Sequence, residues 1–232
     1  MSGVLVIAAH PDDAELAVGG TIARLTEGGV PVDVAFATVS EHAAERRHLR
    51  VEAAVRAAEI LGHRLHWLRE GSFDQVEDIP EYELVGLVDG LVERTRPRAV
   101  LSHWDGDSHG DHVRLARAVV ASSRRWQGTT LCQFGANEHR THRFAEFAPN
   151  LFVPMAGQFE RKLKALEAYC YEGQGFSPLD LEWVRLHAAS CGARAGVPFA
   201  EALRLVRHRA DDVMGLFGDT TTTETDSITD GV

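Results

Sequence analysis

Cysteine is scarce in this chain of 232 residues: Cys132, Cys170 and Cys191 are odd in number, far apart and in no Cys-x-x-Cys arrangement. That argues against a disulfide framework and fits a reducing compartment. The first apolar run, Val4 to Ala9, has no basic stretch ahead of it and soon meets Asp12 and Asp13. It has the features of neither a signal peptide nor a membrane span, and the sequence reads as cytoplasmic. Positive charge is also in short supply, with 24 Lys and Arg against 34 Asp and Glu and a net charge of −10. Such a balance gives no electrostatic footprint for nucleic acid or for an anionic membrane surface. There is no internal repeat, and no Gly-x-Gly-x-x-Gly follows the first apolar run, so the dinucleotide-binding fingerprint is missing.

What is present is an ordinary globular composition, 44% hydrophobic and 25% charged. Residues 1–217 are expected to form a single domain. Residues 218–232 are acidic, rich in threonine and almost free of apolar side chains, and are expected to be a disordered tail. Short β-branched runs at 4–9, 32–38, 65–68, 99–102 and 129–134 predict strands, with another at 151–153. Helical patterns over 13–25, 42–61, 82–95 and 111–125 separate the first five, and further helices are expected at 155–171, 181–189 and 200–207. Strands alternating with helices at this spacing indicate an α/β, Rossmann-like fold, with a mostly parallel sheet carrying helices on both faces.

Two polar clusters stand out, each where a buried strand should end. The second, Ser102 to His112, packs three His (His103, His109, His112) and three Asp (Asp105, Asp107, Asp111) into eleven residues with no Lys or Arg. Its Asp105-x-Asp107-x-His109-Gly110 spacing imitates the start of a calcium loop, but the twelfth position is Ala116 where a bidentate Glu is required. Neutral nitrogen and anionic oxygen donors suit a borderline transition metal instead. The first cluster is His10, Pro11, Asp12, Asp13 and Glu15. Alone it reads equally as a turn in which Asp12 or Asp13 caps the next helix. In a parallel sheet, however, ligands bind beyond the carboxyl ends of the strands, so both clusters would meet at one edge. Together they hold what a catalytic zinc uses: two His and a carboxylate as ligands, a spare carboxylate as base, and a spare His to face developing charge.

The pair of motifs, His10-Pro11-Asp12-Asp13-x-Glu15 followed by Gly19-Gly20, and His109-x-Asp111-His112, resembles the LmbE/PIG-L family of zinc-dependent N-acetylglucosaminyl deacetylases. Arg50 and Glu52 ahead of Leu61-Gly62, and the late segment Gly196 to Glu201, are similar to further segments of that family, so the resemblance spans roughly residues 4–207. It implies His10, Asp13 and His112 as zinc ligands and Asp12 as the general base. It implies His109 as the charged imidazole facing the tetrahedral intermediate, with Asp111 as its orienting partner, and Arg50 and Asp74 on the substrate side. Some members carry a Tyr just before the His-x-Asp-His segment, where this chain has Asp107 and Ser108. The expected activity is removal of an N-acetyl group from an N-acetylglucosamine-type sugar or conjugate. The cofactor is Zn²⁺, with Fe²⁺ or another divalent transition metal as the alternative. The expected partner is a small amino-sugar substrate, and a homo-oligomer is compatible with the sequence. Competing readings are a hydrolase of a larger amide, an iron oxygenase with two His and one carboxylate, and a non-catalytic Rossmann-like sugar- or nucleotide-binding module.

Overall fold

All five residues of β1 (Val4–Ala8) are buried, because this strand lies inside the sheet and is covered on both faces. A computed structural model describes residues 3–39, 46–69, 75–136, 146–155, 157–170 and 178–208. Within them the strands are β1, β2 (Val32–Phe36), β3 (Arg64–Trp67), β4 (Ala99–His103), β5 (Thr130–Phe134), β6 (Leu151–Pro154) and β7 (Ala200–Arg207). The helices are α1 (Asp13–Glu27), α2 (Arg47–Leu61), α3 (Glu81–Thr95), α4 (Gly110–Ser123), α5 (Phe159–Glu167) and α6 (Pro178–Ala195). The sheet order is β3-β2-β1-β4-β5-β7-β6; the first five strands are parallel, and β7 runs antiparallel to both of its neighbours.

The alternation of side chains along β1 divides the core in two. Val4, Val6 and Ala8 pack with residues of α1, α2, α5 and α6, whereas Leu5, Ile7 and Ala9 pack with α3 and α4. Helices thus cover both faces, as the alternating pattern requires. Gly62 closes α2 in the left-handed region at φ 78°, donating its N–H to Ala58 O, a conformation that a glycine adopts without strain. Among the described residues no helix is long and apolar enough to cross a membrane.

One expected helix is a strand. Residues 200–207 carry good helix formers, and apolar residues at 200, 202, 203, 205 and 206 fit either period. Pairing with β5 on one side and β6 on the other satisfies the backbone of this segment, and that tertiary gain overrides a weak propensity. Helix α5 is also shorter than expected, because Met155 N donates to Phe199 O at the entry to β7, tying the preceding residues to the sheet. Conversely, α6 extends past both ends of its expected range.

Strand β7 also explains a break in α1. Val18 leaves helical geometry at φ −137°, ψ 20°, and the N–H groups of Gly20 and Thr21 turn to the carboxylate of Glu201 at 2.8 and 2.7 Å. Thr21 Oγ1 donates to the same carboxylate at 2.6 Å, and Lys162 Nζ from α5 neutralises it at 2.6 Å, both charged residues being buried. A Cβ at Gly20 would lie 2.2 Å from Met155 Sδ, so a larger residue there would require the buried Met155 side chain to shift. The Gly19-Gly20 pair and the Gly196–Glu201 segment, remote in sequence, are therefore two halves of one structural device.

Candidate metal centre

The two polar clusters meet at the carboxyl ends of β1 and β4. These strands are parallel neighbours in the register Ile7↔Ser102, with Ser102 Oγ donating to Ile7 O at 2.8 Å. Between them the strand order reverses, since β1 leads to β2 on one side while β4 lies on the other, and this is where an open α/β sheet places its ligand.

After β1 the chain turns through His10, Pro11 and Asp12 into α1. Asp12 sits at φ 105°, a conformation side chains rarely adopt, and its carboxylate makes no capping bond to the helix. The carboxylate lies instead 3.4 Å from Arg50 NH2, and the same guanidinium donates to Pro11 O at 3.1 Å, so α2 brings Arg50 to this turn. Asp13 points inward, and its Oδ2 accepts from His10 N at 2.9 Å. The same oxygen lies 3.5 Å from His10 Nδ1 and 3.3 Å from His112 Nε2. Tetrahedral coordination with bonds of about 2.1 Å requires donor–donor edges of roughly 3.4 Å. His112 Nε2 is buried, makes no hydrogen bond of normal geometry, and is ion-paired with Asp13 Oδ2 across one such edge. The His10–Asp13 and Asp13–His112 spacings therefore suit neighbouring ligands of one ion.

Each of the two imidazoles is backed by a carboxylate on its far nitrogen. Asp111 Oδ2 lies 2.7 Å from His10 Nε2, and Asp107 Oδ2 lies 2.9 Å from His112 Nδ1. Such pairs fix the ring and raise the basicity of the nitrogen facing the metal. This differs from the expected pairing of Asp111 with His109. The Asp111 carboxylate accepts from Glu77 N at 2.8 Å while holding His10; His109 Nδ1 accepts only the backbone N–H of Asp111, at 3.3 Å, as the N-cap of α4. The reason is geometric: at the first turn of α4 the Asp111 side chain projects toward the β1 turn, not back along its own loop. The role of Asp107 was not assigned from sequence. A carboxylate five residues ahead of a His at a helix start was its only signal.

His109 is half-buried and contributes a nitrogen to one donor group with His10 and His112, while Asp13, His103 and His112 form the other found among the described residues, the atoms of each lying within 4.8 Å of one another. His103 is fully buried and stacks on His112 with ring centroids 3.9 Å apart, but its Nε2 accepts from Ala9 N at 2.9 Å. Behind the β1 turn, Glu15 is fully buried and accepts from Tyr169 OH at 3.1 Å. Asp74 lies outside the described residues.

Electrostatics sort the carboxylates. Burial raises Asp12 to about 6, although Arg50 pulls it down, and burial raises Glu15 to about 8. Burial also opposes ionisation of Asp13, but the charge of His112 and the hydrogen bond from His10 hold it well below the usual range. Asp107, despite burial, is brought to about 2 by its hydrogen bond to His112. In the metal-free protein His112 rises to about 10, the nearby Asp13 and Asp107 outweighing burial. His109 is lowered, first by burial and then by His112 and His10, and burial takes His103 to about 4. Two neighbouring aspartates with opposite tendencies are what a ligand and a base require.

Fold and site together define a Rossmann-like α/β protein with a buried His/Asp metal centre at its sheet's switch point. Residues 5–123 match the PIG-L family, described as GlcNAc-PI de-N-acetylase, and the chain belongs to that family of metal-dependent deacetylases. It is 27% identical over 183 residues to a probable N-acetyl-α-D-glucosaminyl L-malate deacetylase 2 of Bacillus cereus, covering 72% of this chain and 81% of that protein. It is 28% identical over 230 residues to the diacetylchitobiose deacetylase of Thermococcus kodakarensis, covering 88% and 82% respectively. Among solved structures, the 4-carboxy-2-hydroxymuconate hydratase GalB of Pseudomonas putida KT2440 superposes with a TM-score of 0.76 at 21% identity, over 90% of this chain and 98% of that one. That neighbour is a hydratase, so the fold by itself does not single out amide hydrolysis.

Proposed function

We propose that this protein is a zinc-dependent hydrolase that removes the N-acetyl group from an N-acetylglucosamine-type sugar or sugar conjugate. The observation that carries the reading is the buried Nε2 of His112, 3.3 Å from Asp13 Oδ2, beside a second aspartate, Asp12, that belongs to neither donor group. Two imidazoles and one carboxylate suit Zn²⁺, and Fe²⁺ takes the same set. The ion, when bound, lowers the pKa of a water and polarises the acetyl carbonyl.

The chain's own residues supply the rest. Asp12 is the base: its carboxylate is spared from helix capping and is held beside Arg50. An elevated pKa matches it to taking a proton from water near neutrality and giving it up again. His109 lines the open side of the centre; with Nδ1 accepting the Asp111 N–H it is a neutral imidazole and not the charged one expected. Its Nε2–H is left to donate a hydrogen bond to the developing oxyanion, while the proton taken up by Asp12 goes to the departing amine. Arg50 both fixes Asp12 and borders the substrate, and Asp74 is assigned to a sugar hydroxyl. Cytoplasmic residence fits Cys132, Cys170 and Cys191 being in no disulfide among the described residues. Names of the relatives favour amino-sugar amides as substrates, and B. cereus and T. kodakarensis supply two candidate types, a glucosaminyl malate and a chitobiose.

The test is release of free amine and acetate from N-acetylglucosamine, diacetylchitobiose and N-acetylglucosaminyl malate by protein reconstituted with one equivalent of zinc. Acetate release that disappears with Asp12→Ala is expected. Stoichiometric metal with no amine released from any of the three would overturn the reading. Release of a larger acid from longer N-acyl analogues, with acetyl substrates inert, would move it to the larger-amide alternative.

A further inference from the structure

His103 touches two of the three proposed ligands, His112 and Asp13, without a role in the reaction just described. It ends β4, is completely buried, and stacks on His112 at 3.9 Å between ring centroids with 21° between planes. Its Nε2 lies 3.4 Å from Asp13 Oδ2 and accepts the N–H of Ala9, the residue before His10, at 2.9 Å. The lone pair that faces the site is thus already occupied, which separates His103 from the ligands although it belongs to one of the two donor groups. Its Nδ1 is buried with no partner. An apolar ring of the same size would fill the space without burying an unsatisfied nitrogen, so packing alone does not account for a histidine here.

We infer that His103 is a positioning residue for the metal centre: by accepting the Ala9 N–H it locks the β1 turn to β4 and so sets His10 and Asp13 at the right distance from His112. The Ala9 amide lies beyond the last β1–β4 register pair, at Ile7↔Ser102, where the ladder no longer holds the strands together. Without that acceptor, the turn carrying two of the three proposed ligands keeps the Asp111–His10 contact to the helix carrying the third but loses its tie to β4. The inference rests on the proposed metal site, and its test keeps the two apart.

The experiment compares His103→Gln, His103→Asn and His103→Phe with the wild type, measuring zinc affinity by chelator competition and the rise in melting temperature on adding zinc. Gln places an amide oxygen where Nε2 stands, Asn is one methylene too short to reach, and Phe keeps the stack while removing the acceptor. The expected result is Gln within about threefold of wild type, with Asn and Phe weaker by about 10- to 100-fold, the range for groups that orient metal ligands. The zinc-induced rise should shrink in the same order. A purely structural role would lower metal-free and metal-bound melting equally and leave that rise unchanged. Should the Phe variant fail to fold, the Gln/Asn pair decides: equal affinities overturn the assignment. Wild-type protein that binds no zinc refutes the metal reading itself, whereas variants that all match a zinc-binding wild type refute only the role of His103.

Discussion

Asp12 combines a strained backbone with a carboxylate proposed as the base, and the two properties separate by mutation. Asp12→Ala should keep the metal and lower kcat by about 10²- to 10⁴-fold, the usual contribution of a positioned base, as metal analysis and kinetics on the same preparation will show. Asp12→Gly should be equally inactive yet more stable by about 1 kcal/mol, because glycine adopts φ 105° without strain; denaturant titration measures it. His112 gives a prediction with a sign. Its pKa in the metal-free fold stands near 10, above the ordinary value near 6.5, so the stability it draws from Asp13 and Asp107 is complete below that ordinary value and disappears as pH rises through 10. Zinc must displace this proton, so affinity should rise with pH, and calorimetry in buffers of different ionisation enthalpy should find about one proton or more released per ion at pH 7. At this scale the choice of His10, Asp13 and His112 as proposed ligands came from the family resemblance, whereas the two polar clusters that hold them were legible because each ends a strand. Which carboxylate backs which imidazole was not, since that depends on the angle at which α4 leaves its loop: Asp111 reaches His10 and Asp107 takes His112.

Among the elements, α1 is the one whose integrity depends on a remote partner. Removing one member of a buried ion pair leaves the other uncompensated and costs about 3–5 kcal/mol. Glu201→Ala should reach that range, since it strands the Lys162 ammonium and the N–H groups of Gly20 and Thr21 together. Lys162→Met should cost less, because the carboxylate keeps the three donors of Gly20 and Thr21. Chemical denaturation will rank them, and the reverse order would show that Lys162 and not the helix break is the dependent party. The strands of the parallel half could be read directly, as continuous β-branched runs ending in polar clusters. Strand β7 could not, because Ala200 to Arg207 has helical composition and only the open ladder between β5 and β6 makes it a strand.

For the molecule as a whole, the metal should act as a ligand that binds only the folded state. At a free concentration 100 times its Kd it adds about 2.7 kcal/mol, which in a protein of this size is a rise in melting temperature of roughly 5–10 °C. Calorimetric scans with and without chelator should show it, and Asp13→Ala should abolish the difference while Asp12→Ala preserves it. A mostly parallel sheet with helices on both faces was legible in the alternation of elements; the order of its strands was not, because local pattern says nothing of which neighbours pair. That order is what places the ends of β1 and β4 side by side and so makes one centre of two motifs about ninety residues apart.

The bond between Glu201 and the broken helix α1 also has a meaning in time. As the chain is synthesised, His10 and Asp13 emerge before His112, and all three before Glu201. The Gly20 and Thr21 amides, however, have no acceptor in place until residue 201 has left the ribosome, and β6 cannot join the sheet before β7 intervenes. Such distant closure is slow compared with local contacts. A nascent chain carrying both motifs therefore has every proposed ligand before it has the Glu201 acceptor that the broken helix α1 requires.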